Sequence, residues 1–417
     1  MLSVFTPSHN PVFLDECLAS LQAQTFGEWE WVVMLNGGAR WGPRHPDPRV
    51  RIVVDDELKG VGAVKRRACE AARGEILVEL DHDDMLASNA LQSIHEAFVE
   101  RPDAGLVYSH CTQTLEDGSR DYSTFNRDYG WEYREATVDG RDLQYAVAFE
   151  PTPHNLSYIW FAPNHVRAFT RDAYDRAGGY DPARQVLDDQ DLMSRLYQVG
   201  YFHRIDDCLY LQRVHAESTQ RGEETNALIQ AETIALYERY IEPSALAWAR
   251  RNELLALDLG AADGRPPGYL GIGGQPAERV GIVAAPPTQL PLADGSVGVI
   301  RAVDFLQRVT DKVALFNELY RLLAPGGLLL SQTPSTDGRG AFQDPANVTF
   351  YNQNSFWYFT EADYQRRVPE IRARFQVSRV VTRHPSEWHR VHDIPYVTAN
   401  LIALKEPMPR NGGPLLW

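Results

Sequence analysis

Short apolar runs alternate with amphipathic stretches over residues 3–109, and this succession constrains the fold more than any other feature of the chain. The apolar runs predict β-strands at residues 3–6, 29–35, 50–54, 75–80 and 105–109. Apolar residues at three- and four-residue spacing predict helices at residues 11–24, 62–73 and 88–100. Strands that alternate with helices build a parallel sheet, which binds its ligands at the carboxyl ends of the strands. The sequence therefore predicts an α/β domain with a ligand crevice at that edge.

The chain has 417 residues, and single hydrophobic cores stop growing at roughly 250–300 residues. We expect a first domain at residues 1–222, a helical connector at residues 223–253 that Pro243 interrupts, and a second domain at residues 254–417. Residues 113–160 are rich in Tyr, Trp, Asp and Arg and lack a clean period. We interpret them as loops over the crevice of the first domain.

Charge and composition narrow the class of protein. The formal net charge of −15 argues against a nucleic-acid partner, because a polyanion must be neutralised by Lys and Arg. The four cysteines lie far apart, without the close pairs of a zinc site or the density of a disulfide scaffold. No apolar run approaches the roughly 18 residues of a membrane span, and the first residues lack the pattern of a signal peptide. We therefore expect a cytoplasmic protein with no integral membrane segment.

The sharpest local feature is the apolar strand at residues 76–80, which ends in Asp81, Asp83 and Asp84. Carboxylates at the mouth of a parallel sheet can hold a hard divalent cation, and that cation can bridge a diphosphate. The alternative is that Asp83 and Asp84 are turn residues and that Ser88 caps the next helix. This segment taken alone leaves both interpretations open.

Several short motifs follow one another along residues 3–218: TPSHN at 6–10, GVGAVKR at 60–66, ARGE at 72–75, DHD at 81–83, AGGYD at 177–181, DDQD at 188–191, and RVH at 213–215 with Ser218. Together and in this order they resemble glycosyltransferase family 2, whose first-strand nucleotide loop, DxD motif, ED motif and late histidine motif they match. The resemblance implies a GT-A fold, Rossmann-like with a mostly parallel sheet. It also implies a nucleotide-diphospho-sugar donor and a Mn²⁺ or Mg²⁺ cofactor.

The resemblance assigns catalytic roles to the DDQD motif. Inverting sugar transfer needs a base for the acceptor hydroxyl, and Asp189 is the residue we expect to serve. Asp188 stands where a helix begins, so we assign it to capping or orientation. Asp191 would contact the acceptor or face solvent.

The resemblance likewise implies a metal site and a donor site. Asp83 and His215 would bind the metal, and Asp81 would reach the metal or the ribose. A lone histidine after a strand has a structural role as its alternative interpretation. The other residues implied in nucleotide-sugar binding are Thr6, Pro7, Ser8, Asn10, Asn36, Lys65, Arg66 and His82.

Two departures from the family pattern concern the donor. Asn36 follows the second strand where the family usually has a pair of aspartates, and an amide presents a donor as well as an acceptor. A UDP-sugar remains favoured, with a GDP- or dTDP-sugar as alternatives. Lys65 and Arg66 stand where the family often has Arg and Asn. Either would pair with phosphate, or both belong to a solvated helix face.

Aromatic residues of the irregular segment are candidates for the acceptor site, because aromatic faces suit the apolar faces of sugar rings. Burial in a loop core is the equal alternative. The candidates for acceptor binding are Trp131, Tyr133, His154 and Trp160.

The second domain carries LDLGAADG at residues 257–264, PLADGS at 291–296 and ELYRLLAPGG at 318–327. These motifs resemble class I S-adenosylmethionine-dependent methyltransferases and imply a second Rossmann-like domain. Gly273 aligns with the acidic residue that usually holds the ribose hydroxyls, while Gln307 and Asn347 depart from the Glu and His common in the family. Asp263 is a substitute for the missing acid. We therefore expect the domain to be inactive as a methyltransferase, with S-adenosylmethionine an unlikely ligand.

The sequence thus predicts a glycosyltransferase that moves a sugar to a glycan or protein acceptor. Its second domain would serve as a scaffold, an acceptor-docking module or a dimerisation module. Two alternatives remain: a bifunctional glycosyl- and methyltransferase, and a catalytically silent carbohydrate-binding assembly protein. Retention of Asp81, Asp83 and Asp189 argues against the last.

Overall fold

The computed structural model of the chain describes residues 1–115, 125–215, 223–260, 266–273, 281–283 and 287–413. Ser218 and Asp263, which the motif analysis named, lie outside the described residues. The described chain forms two compact units: unit 1 comprises residues 1–244 and 410–413, and unit 2 comprises residues 245–409. None of the helices in the described ranges combines the length and apolar composition that a membrane crossing requires.

Unit 1 is built on a ten-stranded sheet. Its strands are β1 (Leu2–Ser8), β2 (Trp29–Leu35), β3 (Val50–Val54), β4 (Ile76–Glu79), β5 (Met85–Leu86), β6 (Ala104–Leu115), β7 (Tyr133–Val138), β8 (Arg141–Ala146), β9 (Arg167–Thr170) and β10 (Tyr201–Val214). The strand order is β3-β2-β1-β4-β9-β6-β10-β5, and the hairpin β7-β8 joins β6 through β8. Strands β3 to β4 in that order are parallel, as are β6 and β10, whereas β9 is antiparallel to both of its neighbours.

The helices of this unit are α1 (Leu14–Gln22), α2 (Val61–Ala71), α3 (Ala90–Glu100), α4 (Pro153–Ser157), α5 (Arg171–Arg176), α6 (Asp188–Val199) and the first part of α7 (Glu223–Arg251). The predicted periodicity explains how α1 packs. Leu14, Cys17, Leu18 and Leu21 recur at three- and four-residue spacing, and all four are buried in one core cluster with β1 and β2. Strand β2 is buried along its whole length, as expected for the interior of a parallel sheet.

The interpretation of residues 113–160 as loops is wrong over much of the segment. Strand β6 extends to Leu115, β7 and β8 form an antiparallel hairpin, and α4 begins at Pro153. The two-residue turn of the hairpin is Asp139-Gly140, with φ of 50° and 75°. Strand β7 is mostly polar and has one buried residue, Val138, whereas Leu143, Tyr145 and Ala146 of β8 are buried. The hairpin is short and β7 shows little apolar alternation, the pattern that usually reveals a strand.

The connector forms a helix, and Pro243 does not interrupt it. Helix α7 is one continuous 29-residue helix that contains Pro243, and the division between the units falls inside it, after Ser244. In addition, the segment Arg410–Gly413 belongs to unit 1 although it follows unit 2 in the chain.

Unit 2 contains a seven-stranded sheet in the order β13-β12-β11-β14-β15-β17-β16. Its strands are β11 (Leu255–Asp258), β12 (Leu270–Gly273), β13 (Ile282–Val283), β14 (Val297–Val303), β15 (Leu323–Pro334), β16 (Phe375–Arg383) and β17 (Tyr396–Ala403). Its remaining helices are α8 (Lys312–Leu322), α9 (Gly340–Gln343), α10 (Trp357–Thr360), α11 (Ala362–Gln365) and α12 (Glu387–Val391). Strands β13 to β15 in that order are parallel, and β17 runs antiparallel to β15 and β16. This is a second Rossmann-like α/β unit.

Candidate active site

The turn after β4 places three carboxylates in different environments. Asp84 is buried, and its Oδ1 accepts a hydrogen bond from the backbone N–H of Arg213 at 2.7 Å. Burial, and then the neighbouring Asp83 and Asp81 carboxylates, raise the pKa of Asp84 well above its usual range. The side chains of Asp81 and Asp83 remain 31% and 19% exposed. Asp84 therefore anchors the turn to β10. The partly exposed side chains of Asp81 and Asp83 form the solvent-facing side of this turn, the open face of the candidate site.

Asp83 pairs with the late histidine. Asp83 Oδ2 lies 2.8 Å from His215 Nε2, which follows the end of β10. The backbone carbonyl of Asp83 accepts a hydrogen bond from Arg213 Nε at 2.9 Å, and the Arg213 guanidinium lies over the Phe13 ring at 4.3 Å. Two of the three expected metal ligands, which are 132 positions apart, are therefore brought together.

Asp81 turns towards a histidine that the sequence analysis missed. His165 Nε2 lies 3.5 Å from Asp81 Oδ2 and 3.8 Å from Glu79 Oε2. One ligand atom from each of these three residues lies within 4.8 Å of the others, so the group has the spacing of a metal site. Glu79, however, already pairs with Lys65 through Oε1 and with Arg167 through Oε2. The charge of Glu79 is therefore already balanced by these two cations.

A chain of buried ion pairs runs from Asp188 to Asp189 behind the open face. Lys65 Nζ lies 2.9 Å from Asp188 Oδ2 and 2.5 Å from Glu79 Oε1. Arg167 Nε lies 2.9 Å from Glu79 Oε2, and an Arg167 terminal nitrogen lies 2.8 Å from Asp189 Oδ2. Each of the three carboxylates thus pairs with at least one of the two cations, in a region where an unpaired charge is costly.

Within this array the two adjacent aspartates acquire different acidities. Burial raises the pKa of Asp188 to about 6, although Lys65 opposes the shift. Burial also disfavours the ionised form of Asp189, but Arg167 and Lys65 outweigh it and hold the pKa of Asp189 below its usual value. The Asp189 side chain is 22% exposed and is the most accessible member of the array. Asp189 is therefore an ionised carboxylate whose side chain remains partly exposed, with Oδ1 accepting from the Gln190 backbone N–H at 2.7 Å.

Strained backbone precedes these aspartates. Leu187, the residue before α6, has φ of 56°, a left-handed conformation that is unfavourable for a leucine. Its side chain is buried in a cluster with Leu236 and Tyr240 of α7. Packing against α7 thus stabilises the turn that presents the aspartates.

Asp191 has a different position from the one expected. It is 1% exposed, its Oδ2 accepts a hydrogen bond from Arg195 Nε at 3.0 Å, and its Oδ1 accepts one from the Tyr240 hydroxyl at 2.8 Å. Asp191 therefore neither faces solvent nor offers a free carboxylate to an acceptor; it ties α6 to α7.

The predicted nucleotide loop lies at the carboxyl end of β1, beside the turn after β4. His82 Nδ1 lies 3.2 Å from the backbone carbonyl oxygen of Pro7, and Ser8 Oγ donates to the Asn10 carbonyl at 2.9 Å. Asn36, partly exposed, follows the neighbouring strand β2. Thr6 is buried, and its Oγ1 accepts a hydrogen bond from the Trp31 indole at 2.8 Å. The Thr6 side chain is therefore structural, whereas the end of β1, the residues that follow it up to Asn10, and Asn36 lie at the carboxyl edge of the parallel strands.

Lys65 and Arg66 are not available to a phosphate in the manner expected. The Lys65 ammonium is held by Glu79 and Asp188 in the buried array. Arg66 donates to the carbonyl oxygens of Gly178 and Tyr180 at 3.1 Å and 3.0 Å, so it fastens the Gly-Gly turn. Both cations are thus engaged by contacts within the fold.

Family models identify the two units. The model described as glycosyl transferase family 2 matches residues 3–158. The chain carries a family 2 glycosyltransferase domain. A methyltransferase domain model matches residues 257–331, within unit 2. Asp81 and Asp83 of the glycosyltransferase domain lie inside the matched span, whereas Asp189 and His215 lie beyond it. Unit 1 accordingly has a GT-A type α/β fold with a mostly parallel sheet.

Curated relatives resemble the glycosyltransferase half of the chain. The O-antigen biosynthesis protein RfbC of Myxococcus xanthus is 24% identical over 57% of this chain and 18% of its own length. Chondroitin synthase of Escherichia coli is 24% identical over 52% of this chain and 30% of its own length. The chain therefore spans less than a third of the length of these relatives. Mannosyltransferase PcManGT from Pyrobaculum calidifontis, solved with GDP-Man and Mn²⁺, is 20% identical with a TM-score of 0.39, over 64% of this chain and 65% of that chain.

The aromatic candidates in the glycosyltransferase domain are mostly internal. Trp131 is buried against Phe149, and the Tyr133 hydroxyl donates to the Phe125 carbonyl at 2.6 Å. His154 is 3% exposed, with Nε2 2.7 Å from the Gly412 carbonyl oxygen. Of the four candidates, Trp160 is the one whose ring is exposed. Trp131 and His154 are therefore core residues rather than an acceptor platform, and Trp160 is retained as the acceptor-side candidate.

His165 and Arg167 are the site residues that sequence reasoning missed. Both lie within the apolar surroundings of β9, where Arg167 is 3% exposed. A charged residue at the start of a short apolar strand indicates a buried ion pair, because a buried charge needs a partner of opposite charge. That partner, Glu79, is 88 positions away in the sequence.

Proposed function

We propose that the chain is an inverting, metal-dependent glycosyltransferase that moves a sugar from a nucleotide-diphospho-sugar to a hydroxyl of a glycan or protein. One observation carries the proposal: contacts through His165 and Arg167 connect Asp81 to the ionised Asp189, and Asp83 of the Asp83–His215 pair lies two residues beyond Asp81 in the same turn. A cation site for the diphosphate and a base for the acceptor are thus provided at the same edge.

The donor atoms present suit a divalent cation. Asp83 Oδ2 and His215 Nε2 are already 2.8 Å apart, and mutual repulsion of the turn carboxylates contributes to the raised pKa of Asp84. A Mn²⁺ or Mg²⁺ ion would relieve that repulsion and, when bound, would stabilise the charge of the departing diphosphate. Asp83 and His215 would hold it, with Asp81 directed to the ion or to the ribose.

Asp189 would act on the acceptor. The acceptor oxygen attacks the anomeric carbon and forms the new glycosidic bond while the bond between that carbon and the diphosphate oxygen breaks. The acceptor proton passes to Asp189, and the nucleoside diphosphate leaves with the electron pair. Arg167 fixes one Asp189 oxygen, so the carboxylate keeps a defined orientation. Asp188, paired with Lys65, orients the start of α6.

The proposed donor and acceptor are chemical classes: a nucleotide-diphospho-sugar and a glycan or protein hydroxyl. A UDP-sugar is favoured from the family resemblance, and Asn36 at the end of β2 is the residue that would read the base. The relatives named for O-antigen biosynthesis and for chondroitin synthesis support a glycan acceptor.

A hydrolysis screen tests this function without knowledge of the acceptor. Release of nucleoside diphosphate from UDP-, GDP- and dTDP-sugars is measured with Mn²⁺, with Mg²⁺ and with chelator. We expect turnover of one donor class that needs the cation. Asp83→Ala should abolish both turnover and the response to metal, whereas Asp172→Ala removes an exposed carboxylate and should behave as wild type. Metal-independent turnover, or normal metal response in Asp83→Ala, would contradict the proposed site.

A further inference from the structure

The segment Arg410–Gly413 is an integral part of unit 1, from which residues 245–409 separate it in the sequence. One Arg410 terminal nitrogen donates to the carbonyl oxygens of Val147 and Ala148 at 2.7 Å and 3.0 Å. The guanidinium lies 4.4 Å over the Phe149 ring, and the Arg410 backbone N–H donates to Glu150 Oε2 at 3.1 Å. Arg410 thus binds residues 147–150, which lead into α4.

The next residues bind α4 itself. The Thr152 hydroxyl, at the N-cap of α4, donates to Asn411 Oδ1 at 2.7 Å. Asn155 donates through Nδ2 to the Arg410 carbonyl at 3.0 Å and accepts the Gly412 N–H through Oδ1 at 2.9 Å. His154 Nε2 lies 2.7 Å from the Gly412 carbonyl oxygen. Successive peptide groups of the segment are therefore satisfied by one short helix.

The fit is also specific in shape. Asn411 is 5% exposed, and Gly412 and Gly413 are buried. A Cβ on Gly412 would come within 2.1 Å of Phe161 Cδ1, so this position admits no side chain without displacement of the ring. Such a contact holds the segment in one register along α4.

Helix α4 in turn contacts the beginning of α6. Gln190 Nε2 donates to the Ser157 carbonyl at 2.8 Å, and both residues are buried. Gln190 directly follows Asp189 in the chain. The C-terminal segment, α4 and the first turn of α6 therefore form a continuous path of hydrogen bonds that ends beside the proposed base.

We propose that Arg410–Gly413 is a positioning element for sugar transfer, which holds α4 and thereby the orientation of Asp189. The assignment of Asp189 as base rests on the proposed function; the docking of the segment does not. The methyltransferase-like unit is consequently an insertion between two parts of the glycosyltransferase unit. Residues Arg410–Gly413, which follow the methyltransferase-like unit in the sequence, are then required for sugar transfer by the first unit.

Gly412→Ala in the full chain tests the inference, with Gly27→Ala as the matched control, because a Cβ on Gly27 meets no atom within 4 Å. We expect faster hydrogen exchange in residues 148–161 of Gly412→Ala and a fall in kcat for transfer of roughly tenfold or more. The donor KM should stay within about twofold, since the nucleotide side is untouched. Gly27→Ala should match wild type in all three measurements.

A deletion series keeps the test decisive if the substitution perturbs folding. Removal of residues 414–417 should leave exchange and kcat unchanged, and removal of residues 410–417 should reproduce Gly412→Ala. A synthetic peptide of residues 408–413, added at millimolar concentration, should restore kcat of the longer deletion. Unchanged hydrogen exchange in both Gly412→Ala and the deletion of residues 410–417 would show that the segment does not dock on α4. Increased exchange with a normal kcat would show that the segment does not position Asp189. If the wild type transfers no sugar, the proposed function fails, and exchange alone then decides whether the segment docks.

Discussion

Asp188 and Asp189 are adjacent in sequence, yet their surroundings shift the pKa values of the two carboxyl groups in opposite directions. Lys65 and Arg167 keep Asp189 ionised, whereas burial moves the pKa of Asp188 to about 6. A base of low pKa is a weak proton acceptor at rest, but the acceptor hydroxyl becomes acidic as its oxygen bonds to the anomeric carbon. Accessibility then decides between the two, and Asp189 has the more exposed side chain, 22% against 7%.

We therefore predict that Asp189→Asn lowers kcat for transfer by roughly two or more orders of magnitude and leaves donor affinity nearly unchanged. The amide keeps the shape of the side chain but cannot accept the proton. Steady-state kinetics and a separate donor titration measure the two effects. Asp172→Asn, at an exposed position on α5, is the control. Wild-type turnover in Asp189→Asn would transfer the base role to Asp188.

At the residue scale, the sequence motifs predict the exposed residues of the candidate site but not the buried ion pairs that support them. Asp81, Asp83 and His215 were named because they stand in motifs. Lys65 was assigned to a phosphate, since its sequence gives no sign that Glu79 and Asp188 surround it. Those partners are 14 and 123 positions away, and a charge pair at such separation is visible only after the chain has folded.

Helix α4 links the C-terminal segment to α6, and its stability should depend on pH through His154. Burial lowers the pKa of His154 from 6.5 to about 4. The folded state thus favours the neutral ring, so its stabilising contribution is complete above about pH 6.5 and is lost as the pH falls towards 4.

We predict that the wild type loses up to about 3 kcal/mol more unfolding free energy than His154→Gln between pH 7 and pH 4. Glutamine keeps a donor for the Gly412 carbonyl but has no proton to bind. Denaturant unfolding at a series of pH values measures the difference between the two proteins. Parallel pH curves would mean that the His154 ring is solvated in the folded state.

Regular elements were predicted best where one face is strongly apolar. Strands β2 and β3 were predicted with their observed bounds, and α3 was predicted to within two residues. The β7-β8 hairpin was missed although Asp139-Gly140 is a strong turn signal and Leu143 and Tyr145 of β8 alternate with polar residues, because the mostly polar β7 shows no such alternation. The return of Arg410–Gly413 to unit 1 had no signal at all, since a four-residue segment has no period.

At the scale of the whole molecule, the second unit has the strand succession of a nucleotide-binding α/β fold, but its described strand β12 ends in a glycine. Gly273 ends β12, where the family usually places the carboxylate that binds the ribose hydroxyls. Asp258 at the end of β11 is buried, and its Oδ1 lies 3.3 Å from an Arg301 terminal nitrogen. Gln307 accepts a hydrogen bond from the Thr333 hydroxyl at 2.7 Å and thus has a structural partner. These departures favour a scaffold over a second catalytic centre.

We predict that the full chain binds S-adenosylmethionine and its demethylated product more weakly than micromolar, and does not methylate. A glycine cannot accept the two ribose hydrogen bonds, and each buried hydroxyl without a partner costs about 1–3 kcal/mol. Calorimetric titration measures the affinity, with binding of a nucleotide in the presence of Mn²⁺ as a check that the preparation is folded. Gly273→Asp restores the missing acceptor and should strengthen binding of either ligand if the carboxylate is the missing element. Micromolar binding by the unmodified chain would instead make the second unit a working cofactor site, and the protein a bifunctional glycosyl- and methyltransferase.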